Sequence, residues 1–324
     1  MALPIWCLST ATVQGVCCVF YFFHLYFVDF GDENDFSISP NLHRRGGFGL
    51  AMGWFLWSKY LTKELNEVVS DKKGWAWLFF LSIVTHPILD CFTAFGTQIL
   101  LPFTNLRVSW DNISVVDPAY TIPLFLGVLV ASFISRNSKK RQIANWVGIA
   151  ISSAYMAFTF YHKTQFNKIL ERSLANEGIE YNRYMSGPSI LQNFLWLGVV
   201  ETDSAFYHGY YSFFDKEPII KKFNVLAKGH ELIAPYKDHK DIKTLEWFTK
   251  NYYNIIVRKD GRLQFNDLRY GSFQGDIKNE KDYVFKFILT ETKEGLEVSD
   301  SDEGREMNKE ILNRYFDRVF GKQE

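Results

Sequence analysis

Long apolar runs without charged residues are confined to the first half of the chain, and this asymmetry limits the folds that the chain can adopt. The chain has 324 residues, of which 47% are hydrophobic and 17% are aromatic. Residues 1–162 contain nearly all of the apolar runs, whereas residues 163–324 contain most of the charge. We therefore predict a multi-pass α-helical membrane domain over residues 1–162, followed by an α+β, β-rich soluble domain over residues 163–324.

The charge balance and the cysteines exclude several classes of protein. The formal net charge is zero, which argues against a nucleic-acid partner because surfaces that bind nucleic acids are strongly basic. All four cysteines lie in apolar stretches, so neither a disulfide framework nor a zinc ribbon is predicted. We expect these thiols, Cys91 among them, to pack as small apolar groups.

The apolar runs predict both the membrane spans and their orientation. Membrane-grade segments cover residues 3–28, 48–61, 74–84, 122–134 and 144–161. The basic loop over residues 136–141 is the clearest signal of a cytoplasmic loop, because such loops carry an excess of lysine and arginine. Counting spans from this loop places the C-terminal domain outside the cytoplasm.

A histidine and an aspartate follow the uncharged run at residues 74–84. His86 and Asp90 are four residues apart, a spacing that puts both side chains on one face of a helix. Ionisable groups at membrane depth are costly and usually mark function. Imidazole and carboxylate groups are natural metal ligands, so the pair predicts half of a metal site. A His–Asp hydrogen bond that joins two helices is the alternative.

Two further residues are candidates for the same site. Asp117 precedes Pro118 at the start of a predicted helix, on the outer side by the topology above. It could be a metal ligand or a water-orienting base, or it could only cap the helix. His43 precedes a membrane segment on the same side, where an interfacial basic cluster is the alternative interpretation.

The polar half combines helical and strand patterns. A stripe of apolar residues predicts a helix over residues 162–178, and an Asp-Gly turn predicts a hairpin between residues 253–258 and 263–268. The other predicted elements are a hairpin of residues 195–201 and 206–214, a helix at 242–252, a strand at 283–290, an exposed acidic stretch at 297–305 and a helix at 306–320. His208, His230 and His239 lack metal-ligand spacing and are interpreted as surface or packing residues.

Three motifs occur in order along the chain. They are Thr-His-Pro-Ile-Leu-Asp at residues 85–90, Phe-Gly-Thr-Gln-Ile-Leu-Leu-Pro-Phe at 95–103 and Val-Asp-Pro-Ala-Tyr-Thr-Ile-Pro-Leu at 116–124. This set resembles the YdjM-like family of bacterial proteins, which are described as LexA-binding, inner-membrane-associated metal-dependent hydrolases. Residues 196–201, 209–212 and 265–271 are similar to the longer members.

The resemblance implies a hydrolase of the bacterial cytoplasmic (inner) membrane, embedded in the lipid bilayer. We predict a divalent metal ion, with zinc as one candidate, bound by His86, Asp90, Asp117 and His43, with Asp90 and Asp117 as catalytic residues. The expected substrate is a lipid-like ester or phosphoester. Binding to a repressor rests on the family description only, and the predicted topology places the large domain on the wrong side for it.

The start of the chain departs from the family pattern. Members carry an early Pro-Asp-x-Asp motif, which is absent here, and then His-Arg-Gly-x-x-His-Ser. Residues 43–48, His-Arg-Arg-Gly-Gly-Phe, match the second motif only in part, and residues 1–50 are atypical. This departure keeps open a non-catalytic alternative, a membrane-anchored binding, structural or regulatory protein whose His–Asp pair only links helices.

Overall fold

The structure, a computed structural model, describes residues 84–135, 138–272, 277–292, 295–301, 303 and 309–322. The chain divides into two compact units. The helical unit contains the described residues up to Cys91, together with Thr97–Val108 and Pro118–Met156. The sheet unit contains the described residues of Phe92–Gly96, Ser109–Asp117 and Ala157–Glu324. The domain boundary that we expect after residue 162 stays a prediction.

The helical unit contains three helical segments. Helix α1 includes residues 84–90, α2 extends over Pro118–Ser132, and the long helix α3 extends over Lys139–Asn176. Only the part of α3 up to Met156 belongs to this unit.

Helices α2 and α3 pack closely in antiparallel directions. A Cβ atom added to Gly148 would lie 2.6 Å from the carbonyl oxygen of Pro123, so only glycine permits this approach. One turn further along α3, Ser152 Oγ donates a hydrogen bond to the carbonyl oxygen of Tyr120, at 2.7 Å. Gly148 meets Pro123, and the later residue Ser152 meets the earlier residue Tyr120, so the two helices run antiparallel.

The predicted multi-pass helical membrane domain is wrong for the part of the chain that the structure describes. In that part, α3 is the one helix that is long and apolar enough to cross a membrane. Helix α2 has 15 residues, and at about 1.5 Å per residue it is shorter than the roughly 30 Å core of a bilayer. The spans predicted over residues 3–28 and 48–61, and nearly all of 74–84, lie outside the described residues.

Helix α3 also differs from the span predicted over residues 144–161. It has 38 residues and continues without a break through the helix predicted separately over 162–178. The hydropathy pattern changes near residue 162, but the helical hydrogen bonding does not, because no proline or glycine interrupts the chain there.

The sheet unit is built on two four-stranded antiparallel sheets. The first has the order β1–β2–β3–β4, formed by Arg183–Pro188, Leu195–Glu201, Ala205–Ser212 and Phe223–Ala227. The second has the order β5–β6–β7–β8, formed by Tyr253–Val257, Leu263–Asp267, Phe285–Thr292 and Gly295–Asp300. The shorter helical elements are 3-10 turns at His230–Tyr236 and Leu268–Tyr270 and the helices α4, Lys240–Phe248, and α5, Lys309–Val319.

Both predicted hairpins are confirmed, but three strands were not predicted. β2 pairs with β3 and β5 pairs with β6, each in antiparallel register. The prediction did not include β1 or β4, and it described the region of β8 as an exposed acidic stretch. The acidic residues are present in β8, which nevertheless pairs with β7 along its length.

Apolar contacts arrange the sheet unit in layers. The last turns of α3 pack against one face of the first sheet, where Phe166 and Leu170 meet Trp196. The other face of that sheet meets the second sheet through a cluster that includes Val199 and Phe206. The outer face of the second sheet is covered by α4, whose buried residues are Ile242 and Leu245.

Candidate functional site

Helix α1 brings His86 and Asp90 to the same face. His86 Nε2 lies 3.5 Å from Asp90 Oδ2, and the two side chains are 36% and 24% exposed. A nitrogen–oxygen hydrogen bond is about 2.9 Å long, so the observed separation is longer than that of a good hydrogen bond. Two ligands of one tetrahedral zinc ion, each about 2.1 Å from the metal, would lie about 3.4 Å apart. The pair therefore has the spacing of two ligands of one metal ion.

The other two predicted ligands, Asp117 and His43, do not belong to the described part of the helical unit. Asp117 is buried, directly precedes α2 and belongs to the sheet unit. His43 lies outside the described residues. Among the residues that the structure describes, no group of three or more His, Cys, Asp or Glu side chains could hold a metal ion. The structure thus brings His86 and Asp90 together, and the four-residue ligand set stays a prediction.

Cys91 is buried beside the pair, as expected for a packing residue. Its Sγ and its backbone N–H both donate to the carbonyl oxygen of Pro87, each at 3.2 Å. These two bonds satisfy a carbonyl group in the last turn of α1, so the thiol contributes to the end of the helix that carries His86 and Asp90.

A buried ion pair holds the segment that follows α1. In the sheet unit, Arg269 Nη1 donates to the carbonyl oxygen of Ala94 at 3.1 Å. The same guanidinium forms three bonds to Asp267, from Nε to Oδ1 at 3.0 Å and to Oδ2 at 3.2 Å, and from Nη2 to Oδ2 at 2.7 Å. Both side chains are fully buried, and the guanidinium lies 5.0 Å from the ring centre of Phe248. Arg269 lies in the stretch 265–271 that resembles the longer family members, but no role was predicted for it; its Asp-x-Arg spacing was the available signal.

A half-buried lysine holds the segment that leads to Asp117. Lys163 Nζ donates to the carbonyl oxygens of Asp111, at 3.1 Å, and Ser186, at 2.9 Å. No role was predicted for Lys163, which lies two residues after the predicted membrane span.

Asn112 connects three stretches of the sheet unit. Its Nδ2 donates to Thr159 Oγ1 at 2.7 Å, and its backbone N–H donates to the carbonyl oxygen of Phe92 at 2.9 Å. Asn193 Nδ2 donates to the carbonyl oxygen of Asn112 at 2.8 Å. Because these groups are buried, the bonds fix the segments 92–96 and 109–117 to one another and to α3.

Comparison with known protein families gives a match to one part of the chain. Residues 46–166 match the family described as YdjM inner membrane protein. These residues, which we call the YdjM region, are similar to that family, and the match covers less than half of the chain. No curated protein and no solved structure matches the chain.

The YdjM region contains three of the four predicted ligands. His86, Asp90 and Asp117 lie within residues 46–166, whereas His43 precedes them. The two sheets lie entirely after this region, so the similarity noted at residues 196–201, 209–212 and 265–271 stays a prediction. The family description indicates an inner membrane protein, and α3 is a candidate helix for the crossing.

His208 lies in β3, outside the YdjM region, and its surroundings do not suit a charged imidazole. The side chain is fully buried, and neither ring nitrogen has a hydrogen-bond partner among the described residues. It shares a face of the strand with Phe206, which packs between the two sheets. Burial lowers the pKa of His208 to about 3. His208 is therefore a neutral packing residue, one of the two roles that the sequence predicted for it.

We expect acid to destabilise the protein through His208. The unfolded chain takes up a proton at this residue below a pKa of about 6.5, whereas the folded chain does so only near the pKa of about 3. Between these values the unfolded state binds more protons, so the contribution to the free energy of unfolding falls by about 2 kcal/mol between pH 7 and pH 5. Thermal unfolding of the parent and of His208→Leu at both pH values measures this difference. Equal pH dependence in the two proteins would contradict it.

Proposed function

We propose that this protein binds a divalent metal ion at His86 and Asp90 and hydrolyses a lipid-like ester or phosphoester. The supporting observation is the 3.5 Å separation of His86 Nε2 and Asp90 Oδ2, which is close to the separation of about 3.4 Å between two ligands of one tetrahedral zinc ion. Partial exposure of both side chains leaves them accessible to an ion and to a substrate.

The chemistry of the donors fits such an ion. An imidazole nitrogen and a carboxylate oxygen suit zinc and related divalent ions, and the i, i+4 spacing on a helix holds them in place. When bound, a divalent ion acidifies a coordinated water molecule and polarises the bond to be broken. The roles predicted from the sequence for Asp117, as a further ligand or the base that orients the water, and for His43, as a further ligand, stay predictions.

The membrane setting favours an amphipathic substrate. The pair lies within the YdjM region, whose family description is an inner membrane protein. A substrate with an apolar part would concentrate at the same membrane. The ester or phosphoester group is the part of such a molecule that a metal-dependent hydrolase attacks.

Metal content tests the first step of this proposal. We expect about one equivalent of divalent metal per chain in the detergent-purified parent, and none in a His86→Ala/Asp90→Ala variant. The chain offers a matched control, because His239 Nδ1 lies 3.8 Å from Asp241 Oδ2 in the sheet unit. The His239→Ala/Asp241→Ala variant should keep its metal. A folded parent without metal, or equal loss in both variants, would contradict the proposal.

Hydrolysis is tested separately. An Asp90→Ala variant is expected to lose turnover of ester and phosphoester lipids that the parent cleaves. Unchanged turnover would remove Asp90 from the catalytic residues. If His86→Ala lowers the amount of folded protein while the parent binds no metal, the pair serves to join helices and the non-catalytic alternative is favoured.

A further inference from the structure

A closed loop in the helical unit follows α1 after a short segment. Its two ends, Thr97 and Val108, exchange two backbone hydrogen bonds, each of 2.9 Å. Inside the loop, Gln98 Nε2 donates to the carbonyl oxygen of Asn105 at 3.2 Å. The residues between the two ends, 98–107, therefore form a loop with a defined shape, which we call the 98–107 loop.

The backbone of this loop is partly satisfied by the loop itself. Phe103 N–H donates to the carbonyl oxygen of Leu100 at 2.9 Å, and Leu101 N–H donates to that of Gln98 at 3.3 Å. The backbone N–H of Leu106 donates to Thr104 Oγ1 at 3.2 Å. Irregular backbone enters a membrane only where its polar groups have partners, so these internal bonds reduce the cost of leaving water.

Most side chains of the loop are apolar, in contrast to the polar groups of its backbone. Five large apolar residues are exposed: Ile99 43%, Leu100 46%, Leu101 46%, Leu106 60% and Phe103 92%. The sequence has no charged residue from Gln98 to Leu106, and the first charge is Arg107 beside the closing pair. A contiguous apolar surface of this kind marks a site that another molecule or a membrane covers.

Two observations favour a lipid bilayer as the covering partner. Two of the polar side chains of the loop, Gln98 and Thr104, bond within the loop and so are not free to form the polar rim that is usual around a protein interface. The loop also lies inside the region that matches an inner membrane protein family. We propose that the 98–107 loop inserts its apolar tip into the acyl-chain region of the bilayer.

This proposal rests on the proposed function where it concerns the substrate. The loop begins eight residues after Asp90 in the chain and belongs to the same unit as the His86–Asp90 pair. A membrane-inserted loop in this unit would let the pair meet substrates at the lipid surface. The substrate class is then a membrane lipid with an ester or phosphoester group.

Fluorescence quenching in proteoliposomes tests the insertion without any assay of activity. A fluorophore is attached through Phe103→Cys in the full chain, with its native cysteines replaced by serine. The control label uses Ser204→Cys, an exposed position in the turn between β2 and β3. We expect phospholipids with nitroxide-labelled acyl chains to quench the label at position 103 at least severalfold more than the label at position 204. Aqueous iodide should show the reverse order.

Two results would overturn the proposal. Equal quenching of both labels by iodide would place the loop in water. Shielding of position 103 from both quenchers would show that protein, either a second copy or another segment of this chain, covers the tip. Metal analysis of the same sample separates the two proposals, because lipid quenching without bound metal contradicts only the function, and bound metal without lipid quenching contradicts only the loop.

Discussion

Replacing Arg269 with methionine is expected to lower the free energy of unfolding by about 3–5 kcal/mol, because it leaves the carboxylate of Asp267 buried without its counter-charge. In the native protein both side chains are fully buried, and Asp267 Oδ2 lies 2.7 Å from Arg269 Nη2. The carbonyl oxygen of Ala94 would also lose its donor. For a unit of this size the loss corresponds to a fall in the unfolding midpoint on the order of 10 °C, measurable on the detergent-purified full chain.

The chain contains a matched control for this substitution. Asp260 and Arg262 repeat the Asp-x-Arg spacing with the same 2.7 Å separation of Oδ2 and Nη2, but their side chains are 40% and 45% exposed. Solvent screens an exposed pair, so Arg262→Met should cost no more than about 1 kcal/mol. Equal effects of the two arginine substitutions would contradict the assigned role of burial.

A second variant separates charge from packing at the same place. Asp267→Leu combined with Arg269→Met removes both buried charges, and we expect it to be more stable than Arg269→Met alone. If the double variant is as unstable as the single one, the contact of Arg269 with Ala94 and its packing on Phe248 provide most of the stabilisation.

Truncation of Phe166 to alanine is the other change with a large expected effect. Phe166 is fully buried in the last part of α3, and its ring stacks on that of Trp196 with centroids 5.6 Å apart. Removing a buried phenylalanine side chain costs about 3–5 kcal/mol, since apolar burial is lost and a cavity remains. Thermal unfolding of the full chain, followed by tryptophan fluorescence, should show a lower midpoint.

The control for Phe166→Ala lies two residues along the same helix. Lys168 is exposed, so Lys168→Ala should change the free energy of unfolding by less than about 0.5 kcal/mol. Similar unfolding midpoints for Phe166→Ala and the parent would mean that the last part of α3 does not contribute to the core of the sheet unit.

Short sequence patterns correctly predicted the elements that depend on only a few neighbouring residues. The Asp-Gly turn at Asp260 and Gly261 predicted the β5–β6 hairpin, since Gly261 has a φ of 85°, a value that glycine adopts without strain. The i, i+4 spacing predicted that His86 and Asp90 share a face, and the structure places His86 Nε2 and Asp90 Oδ2 3.5 Å apart. Both results depend only on the geometry of a turn and of a helix.

The strands that the prediction missed have weak local signals. β8 alternates acidic and apolar residues and is largely exposed, so its composition resembles that of a surface loop. It is a strand because its backbone pairs with β7, and backbone hydrogen bonds do not require apolar side chains. The same reason applies to β1, which pairs with β2 and contains both a glycine and a proline.

The sequence by itself determined the helix that carries His86 and Asp90, the two hairpins and the apolar character of α3, because turn chemistry and side-chain periodicity act over a few residues. Only the tertiary structure decided that α3 continues into the core of the sheet unit, that His208 is buried as a neutral group, and that Arg269 reaches Ala94. Burial and ion pairing depend on residues far apart in the chain, and Ala94 and Arg269 are separated by 175 positions. No local pattern contains that information.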